Sequence, residues 1–200
     1  MRKFLLTLPA IGLLVAAPVG AKSFVINPQA GVVGQDLTGD TADLDDSAKM
    51  GYAVGGNLRF GGRSYLSPGI FWEHTALEAT AVDGATLDVV TDNLEVTSIR
   101  VPLHFGYNLS AGDAMSMGSI GFRVYGGPSA TMIMDVDPNA FGITKDDYKS
   151  SILGAQVGAG LDLSSITIDA SYEWGISNVF KNDADDHKQN VARGMVGLKF

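Results

Sequence analysis

No cysteine occurs in the 200-residue chain, which excludes disulfide scaffolds, thiol catalysis, Fe–S clusters and cysteine-ligated zinc. Basic residues are also scarce: 14 Lys and Arg stand against 22 Asp and Glu, a formal net charge of −8. That deficit argues against nucleic acid as a partner, because duplex affinity comes largely from Lys and Arg neutralising phosphates. Charged residues make up only 18% of the chain against 46% hydrophobic, too apolar a balance for intrinsic disorder. Histidine is limited to His74, His104 and His187, and no phosphate loop, dinucleotide fingerprint or HExxH motif occurs, so no cofactor is implied. What is abundant is glycine, with 25 residues, unusual for a soluble helical domain. The length suits one domain.

The one long apolar run, Phe4 to Val19, follows Arg2 and Lys3 and ends in Val19-Gly20-Ala21. Small residues there suit a signal peptidase, so residues 1–21 read as a cleaved secretory signal and 22–200 as the mature domain. A membrane anchor fits less well, since Pro9 and Pro18 break a run already shorter than the ~20 residues of a spanning helix. An exported chain with no other such run is either soluble or spans by strands.

The period is two. From Ile166 to Ser177, Ile166, Ile168, Ala170, Tyr172, Trp174 and Ile176 alternate with Thr167, Asp169, Ser171, Glu173, Gly175 and Ser177. Leu153 to Leu163 alternates in the same way, and only Ser164-Ser165 separates the two runs, which predicts a tight hairpin. Further strands are expected over Phe24 to Gly34, Tyr52 to Phe60, Tyr65 to His74, Ile99 to Tyr107, Phe122 to Met132 and Val196 to Phe200, eight in all. Leu94 and Val96 fall in the parity opposite to Ile99 and Val101, and a bulge near Thr97 would reconcile them.

Connections alternate in length. Gly61 to Arg63, Leu109 to Gly118 and Ser164-Ser165 are short; Gln35 to Ala48, Ala76 to Asn93, Asp135 to Lys149 and Asn178 to Gln189 are long. Short inner turns and long outer loops are the plan of an antiparallel up-and-down transmembrane β-barrel, with both termini on the short-turn side. Asp83-Gly84 lies between alternating stretches and predicts a two-residue hairpin projecting from the membrane.

In such a barrel the apolar face meets lipid and the polar face lines the lumen. The expected lumen face carries Arg59, Arg100, Arg123, Arg193 and Lys199 against Glu73, Glu95, Asp162, Asp169 and Glu173, with His104 among them. A balanced set of this kind suits ion pairs in a narrow interior; a soluble secreted barrel or sandwich with the same residues on its surface is the alternative. Aromatic residues on the apolar face, including Tyr52, Phe60, Trp72, Tyr107, Tyr172 and Trp174, fall where interfacial girdles belong. On this assignment, Trp174→Asp should cost a few kcal/mol and Ser171→Asp, on the lumen face, less.

The tail from Gly194 to Phe200, with Val196, Leu198 and Phe200 on one face, resembles the terminal signal that the outer-membrane barrel-assembly machinery reads. The segments NLEVTSIRVPLHFGYNL and FRVYGGPSATMI resemble the porin-family outer-membrane β-barrel domain, in its PorT-like group. In size and loop plan the chain is also similar to OmpX and the OmpA transmembrane domain. The resemblance implies the bacterial outer membrane, with its lipid and lipopolysaccharide as surroundings.

Sixteen of the 22 acidic residues fall in the long connections, a rim that would meet cations or a surface partner. Asp135, Asp137, Asn139 and Asp146 match part of a calcium-loop spacing, but Ala140 replaces the turn glycine and Pro138 stiffens the middle, so no metal site is assigned. His74 and His187 with Ser177, Asp185 and Asp186 would supply a hydrolase grouping, although no motif fixes one. The expected function is therefore non-enzymatic, structural or surface-interacting, with a side-chain-filled lumen. A small or gated pore and a soluble ligand-binding barrel are the alternatives.

Overall fold

A computed structural model describes residues 24–38, 47–48, 50–82, 89–109, 120–137, 151–177 and 188–200. The signal segment, the Asp83-Gly84 turn, His187 and most of the acidic rim lie outside the described residues. The strands are β1 (Phe24–Thr38), β2 (Ser47–Ala48), β3 (Met50–Gly61), β4 (Ser64–Val82), β5 (Val89–Asn108), β6 (Ile120–Val136), β7 (Ile152–Leu163), β8 (Ile166–Gly175) and β9 (Lys188–Leu198). All pairings are antiparallel; β2 only extends the edge of β4, and the eight long strands run in order β4-β3-β1-β9-β8-β7-β6-β5. Pairing of β5 back onto β4 closes the ring into an all-β, eight-stranded antiparallel barrel.

Register sets the tilt of the wall. A walk through paired residues from Phe24 to Phe60, Leu66, Phe105, Gly126, Val157, Tyr172 and Ala192 returns to β1 at Gly34, ten residues beyond its start. A stagger of that size in eight strands corresponds to a tilt of roughly 35–45° and an interior that side chains fill. Closure leaves no sheet edge within the membrane, the condition for strands to span it.

The wall turns its apolar residues outward. Val54, Ile70, Phe105, Val157, Ile168 and Val196 are each 45% or more exposed, whereas Asn27, Arg100, Arg123 and Asp162 are at most 2% exposed. A wall of that composition is a surface for lipid, so the soluble-barrel alternative does not hold.

The β7–β8 turn is the two-residue Ser164-Ser165 connection, and Ser164 adopts φ 55°. Primed two-residue turns match strand twist through a positive φ, which ordinarily calls for glycine. Ser164→Gly is therefore expected to raise stability by up to about 1 kcal/mol, read from urea unfolding of the vesicle-inserted protein. The converse case is Gly61 at φ 132°, where an added Cβ would strike the Ser64 carbonyl.

Several strands run beyond their sequence-based limits. β4 and β5 continue to Val82 and Val89, which pair directly, so their register is not that of a two-residue Asp83-Gly84 turn. The register that pairs Ser64 with Tyr107 at the turn end of the strands continues unbroken to Val82 and Val89. β8 stops at Gly175, short of the expected Ser177, and β9 begins at Lys188. At the C-terminus β9 ends at Leu198, but Phe200 still exchanges backbone hydrogen bonds with Ile26, at 3.1 and 3.0 Å.

Candidate functional site

Inward-facing side chains form two ion-pair clusters stacked along the barrel. On the turn side, Arg59 Nη1 donates to Asp162 at 3.0 Å, and Arg123 bridges Asp162 at 3.1 Å and Asp169 at 2.6 Å. Lys199 Nζ stands 3.9 Å from Asp162, and Gln29 Nε2 donates to Asp169 at 2.6 Å. On the loop side, Glu73 accepts from Arg100 Nε at 2.7 Å and from Arg193 Nε and Nη2 at 2.9 and 3.0 Å. Arg193 Nη1 also donates to Glu173 at 2.9 Å. Gln156 Oε1 accepts from Arg100 Nη1 and faces His104 Nε2, both at 2.9 Å. A carboxamide oxygen only accepts, so the imidazole proton belongs on Nε2.

Room for these long side chains comes from inward glycines. A Cβ at Gly160 would run into the Arg123 guanidinium, one at Gly158 into the Tyr125 ring, and one at Gly106 into the Tyr65 ring. Each large side chain lies flat over a neighbouring strand that has nothing to obstruct it. The glycine abundance is thus the counterpart of a crowded lumen. Aromatic faces add to the packing, with Arg100 over Phe71 at 4.7 Å and His104 against Tyr125 at 4.9 Å.

Between the clusters remains a cavity of about 20 Å³, lined by Asn57, Ser67, Arg100, His104, Tyr125 and Ser171 among others. That is room for about one water molecule. Water and ions have no wide path through this level. Ion pairs at this burial are dear to desolvate, and Asp162, Asp169 and Glu73 each meet two or more donors.

Of the lumen residues named from sequence, Arg59, Glu73, Arg100, His104, Arg123, Asp162, Asp169, Glu173, Arg193 and Lys199 are buried inside the barrel. Glu95 is not: its side chain is 41% exposed on the outer wall, 3.5 Å from His74 Nε2, and its assignment to the lumen is corrected. On β5 it is Val96, Ser98 and Arg100 that face inward, in one unbroken parity. A bulge does occur beside Thr97, but the extra residue is Met134 on β6, so β5 never changes face.

Neutral members escaped the sequence reading. Gln29, Gln156 and Tyr65 complete the interior without any charge to mark them, and only strand parity pointed to them. Of the hydrolase grouping, His187, Asp185 and Asp186 lie outside the described residues, and the two described members, Ser177 and His74, are far apart. Ser177 accepts from Leu153 N at 2.8 Å near the end of β8, while His74 on β4 pairs with Thr97 and Glu95, four strands away around the ring. Among the described residues no group of three or more His, Asp or Glu is placed to hold a metal ion. Val196, Leu198 and Phe200 all face outward on the final strand.

Comparison with known proteins bears on this architecture. The chain is similar to the crystal structure of Ail, the attachment invasion locus protein of Yersinia pestis, in complex with the heparin analogue sucrose octasulfate. The identity is 14%, with a TM-score of 0.52 over 89% of this chain and 99% of that one. It is similar to the outer membrane protein OprG from Pseudomonas aeruginosa at 9% identity, with a TM-score of 0.52 over 88% and 95% of the two chains. At such identities these likenesses show a common fold. No curated protein matches the sequence significantly. The model of the outer membrane protein beta-barrel domain matches residues 5–200. The chain belongs to that family, as a barrel of the bacterial outer membrane.

Proposed function

We propose that this chain is a non-enzymatic envelope barrel, acting through its lipid-facing wall and its outer loops rather than by conducting solutes. The observation that carries the reading is the occlusion of the lumen: two ion-pair clusters stacked along the barrel leave a cavity of only about 20 Å³ between them. Eight strands enclose room for side chains or one small ligand, not a diffusion pore. Its working surroundings are then outer-membrane lipid and lipopolysaccharide, with the acidic rim available to a surface partner. Val196, Leu198 and Phe200, outward on the last strand, suit recognition by the barrel-assembly machinery. The finer likeness to the PorT-like porin group supports the fold plan and says nothing of conductance.

The test is conductance in planar bilayers. The wild-type protein is expected to give no steady open-channel current. Sustained ohmic conductance at a single-channel level would favour the pore alternative and overturn this reading.

A further inference from the structure

The lipid-facing wall is not covered evenly by large side chains. Gly56, outward in the middle of β3, pairs with Pro28 of β1 on one side and with Ile70 of β4 on the other. Pro68, two residues before Ile70, shares that outward face. A position without a Cβ between two proline rings leaves a groove of about 580 Å³ open to the hydrocarbon, rimmed by Ile26, Leu58, Ile70 and Phe200. The prolines cost backbone hydrogen bonds. Neither Leu58–Pro68 nor Pro28–Leu198 belongs to a ladder, although bonded pairs stand on either side of each.

The groove occupies one half of the wall. Ile26 and Leu58, paired across β1 and β3, lie one outward step above the Phe24–Phe60 ring pair at the turn end. At its other end Gly55 and Ile70 stop short of the Tyr52–Trp72 ring pair. From Phe60 to Gly56 the strand climbs about 13 Å, within one leaflet of a hydrocarbon core about 30 Å thick. That leaflet is the inner one, because the short turns face the periplasm. A concave apolar surface in hydrocarbon is neither wetted nor left empty, since its lining atoms gain contacts from whatever chain packs against them.

The turn beneath the groove supplies a charge. β3 and β4 are joined through Arg63, which is exposed and lies over the Tyr107 ring at 5.2 Å. The other described cations toward this end, Arg59, Arg123 and Lys199, are buried in the lumen. A guanidinium at the level of the headgroups matches a lipid phosphate in charge and geometry. A second depression, of about 540 Å³ over β8, β9 and β1, has no such partner: the cation among its lining residues, Arg193, is buried and turned inward.

We infer that the groove over β1, β3 and β4 binds one anionic phospholipid of the inner leaflet. An acyl chain lies along Gly56 between Pro28 and Pro68, and the phosphate meets Arg63. The headgroup layer is hydrated, so the guanidinium stays open to water. This site gives the proposed envelope role a lipid class. It rests on the lipid-facing wall and not on the closed lumen, so its failure would leave the conductance test of that role unaffected.

The test is native mass spectrometry of the barrel released from vesicles of phosphatidylglycerol and phosphatidylethanolamine in equal amounts. The wild-type protein is expected to retain one phospholipid, with phosphatidylglycerol favoured about fivefold. Arg63→Gln should keep the bound lipid and lose that preference. Gly56→Leu and Ile70→Trp, which fill the groove, should lose the bound lipid itself. A Cβ at Gly56 would stand 3.0 Å from the Asn27 carbonyl oxygen, whereas Ile70 is 60% exposed, so Ile70→Trp serves where Gly56→Leu fails to fold by heat-modifiable gel mobility. Retention by Ile70→Trp equal to wild type, or no retained lipid on the wild-type barrel, would overturn the site. A preference for phosphatidylglycerol that survives in Arg63→Gln would overturn the role of Arg63. A wild-type dimer abolished by Ile70→Trp would show that a second copy fills the groove, and would overturn the lipid as its occupant.

Discussion

Glu73→Ala is expected to destabilise the folded barrel by about 3–5 kcal/mol, because it strands two buried guanidinium groups at once. Glu73 is 3% exposed and accepts from both Arg100 and Arg193, so no solvent reaches in to replace it. Glu173 offers Arg193 a second acceptor, while Arg100 keeps only the neutral Gln156 among its hydrogen-bonded partners. Adding Arg100→Met should therefore recover part of the loss, since it removes the charge left without a counter-ion and keeps much of the volume. Reversible urea unfolding from lipid vesicles reads both changes. A Glu73→Ala protein within 1 kcal/mol of wild type would mean that water already hydrates this cluster.

Val157→Arg should cost about 2–4 kcal/mol in the same assay, since Val157 lies in the middle of β7 on the lipid-facing wall and a cation there sits near the bilayer midplane. Trp174→Asp should cost less, about 1–2 kcal/mol, because it lies near the loop-side boundary and loses chiefly its edge-on contact with Tyr172. Ser171→Asp reverses the order expected from sequence. Ser171 faces the small cavity two residues from Asp169, whose partner Arg123 is already shared with Asp162. A new carboxylate there finds no cation to itself, and a cost of about 2–4 kcal/mol follows. Equal tolerance of Val157→Arg and Ser164→Gly would contradict the outward assignment of β7.

Strand parity made most of this barrel legible in the sequence. Alternation from Ile166 to Ser177 and from Leu153 to Leu163 predicted two strands and their turn, with β8 ending two residues early at Gly175, and charges such as Arg123, Asp162 and Asp169 stood out against the glycines around them. Alternation does not record where the solvent changes. Reading polar as inward along the full length of β5 put Glu95 in the lumen and demanded a bulge to carry Val96 outward. The structure keeps parity and inverts polarity, leaving Val96 inside and Glu95 beside His74. Alternation alone also makes Ser171→Asp look mild, because it marks the lumen face and not that the nearby Arg123 is already shared by Asp162 and Asp169. Interior neutrals such as Gln29 and Gln156 were hidden for a different reason: a carboxamide at one position carries no sign, and its partners lie on strands distant in sequence.

The central claim, a lumen closed by packed ion pairs, is tested most directly by the solvent exchange of arginine Nε–H protons, followed by NMR with the protein in lipid nanodiscs. Arg59, Arg100, Arg123 and Arg193 are buried in the two clusters, whereas Arg63 lies exposed in the β3–β4 turn over the Tyr107 ring and serves as the internal reference. Slow exchange at the four inward arginines beside fast exchange at Arg63 is the predicted result. Exchange at all five as fast as at Arg63 would show a water-filled lumen and contradict the account.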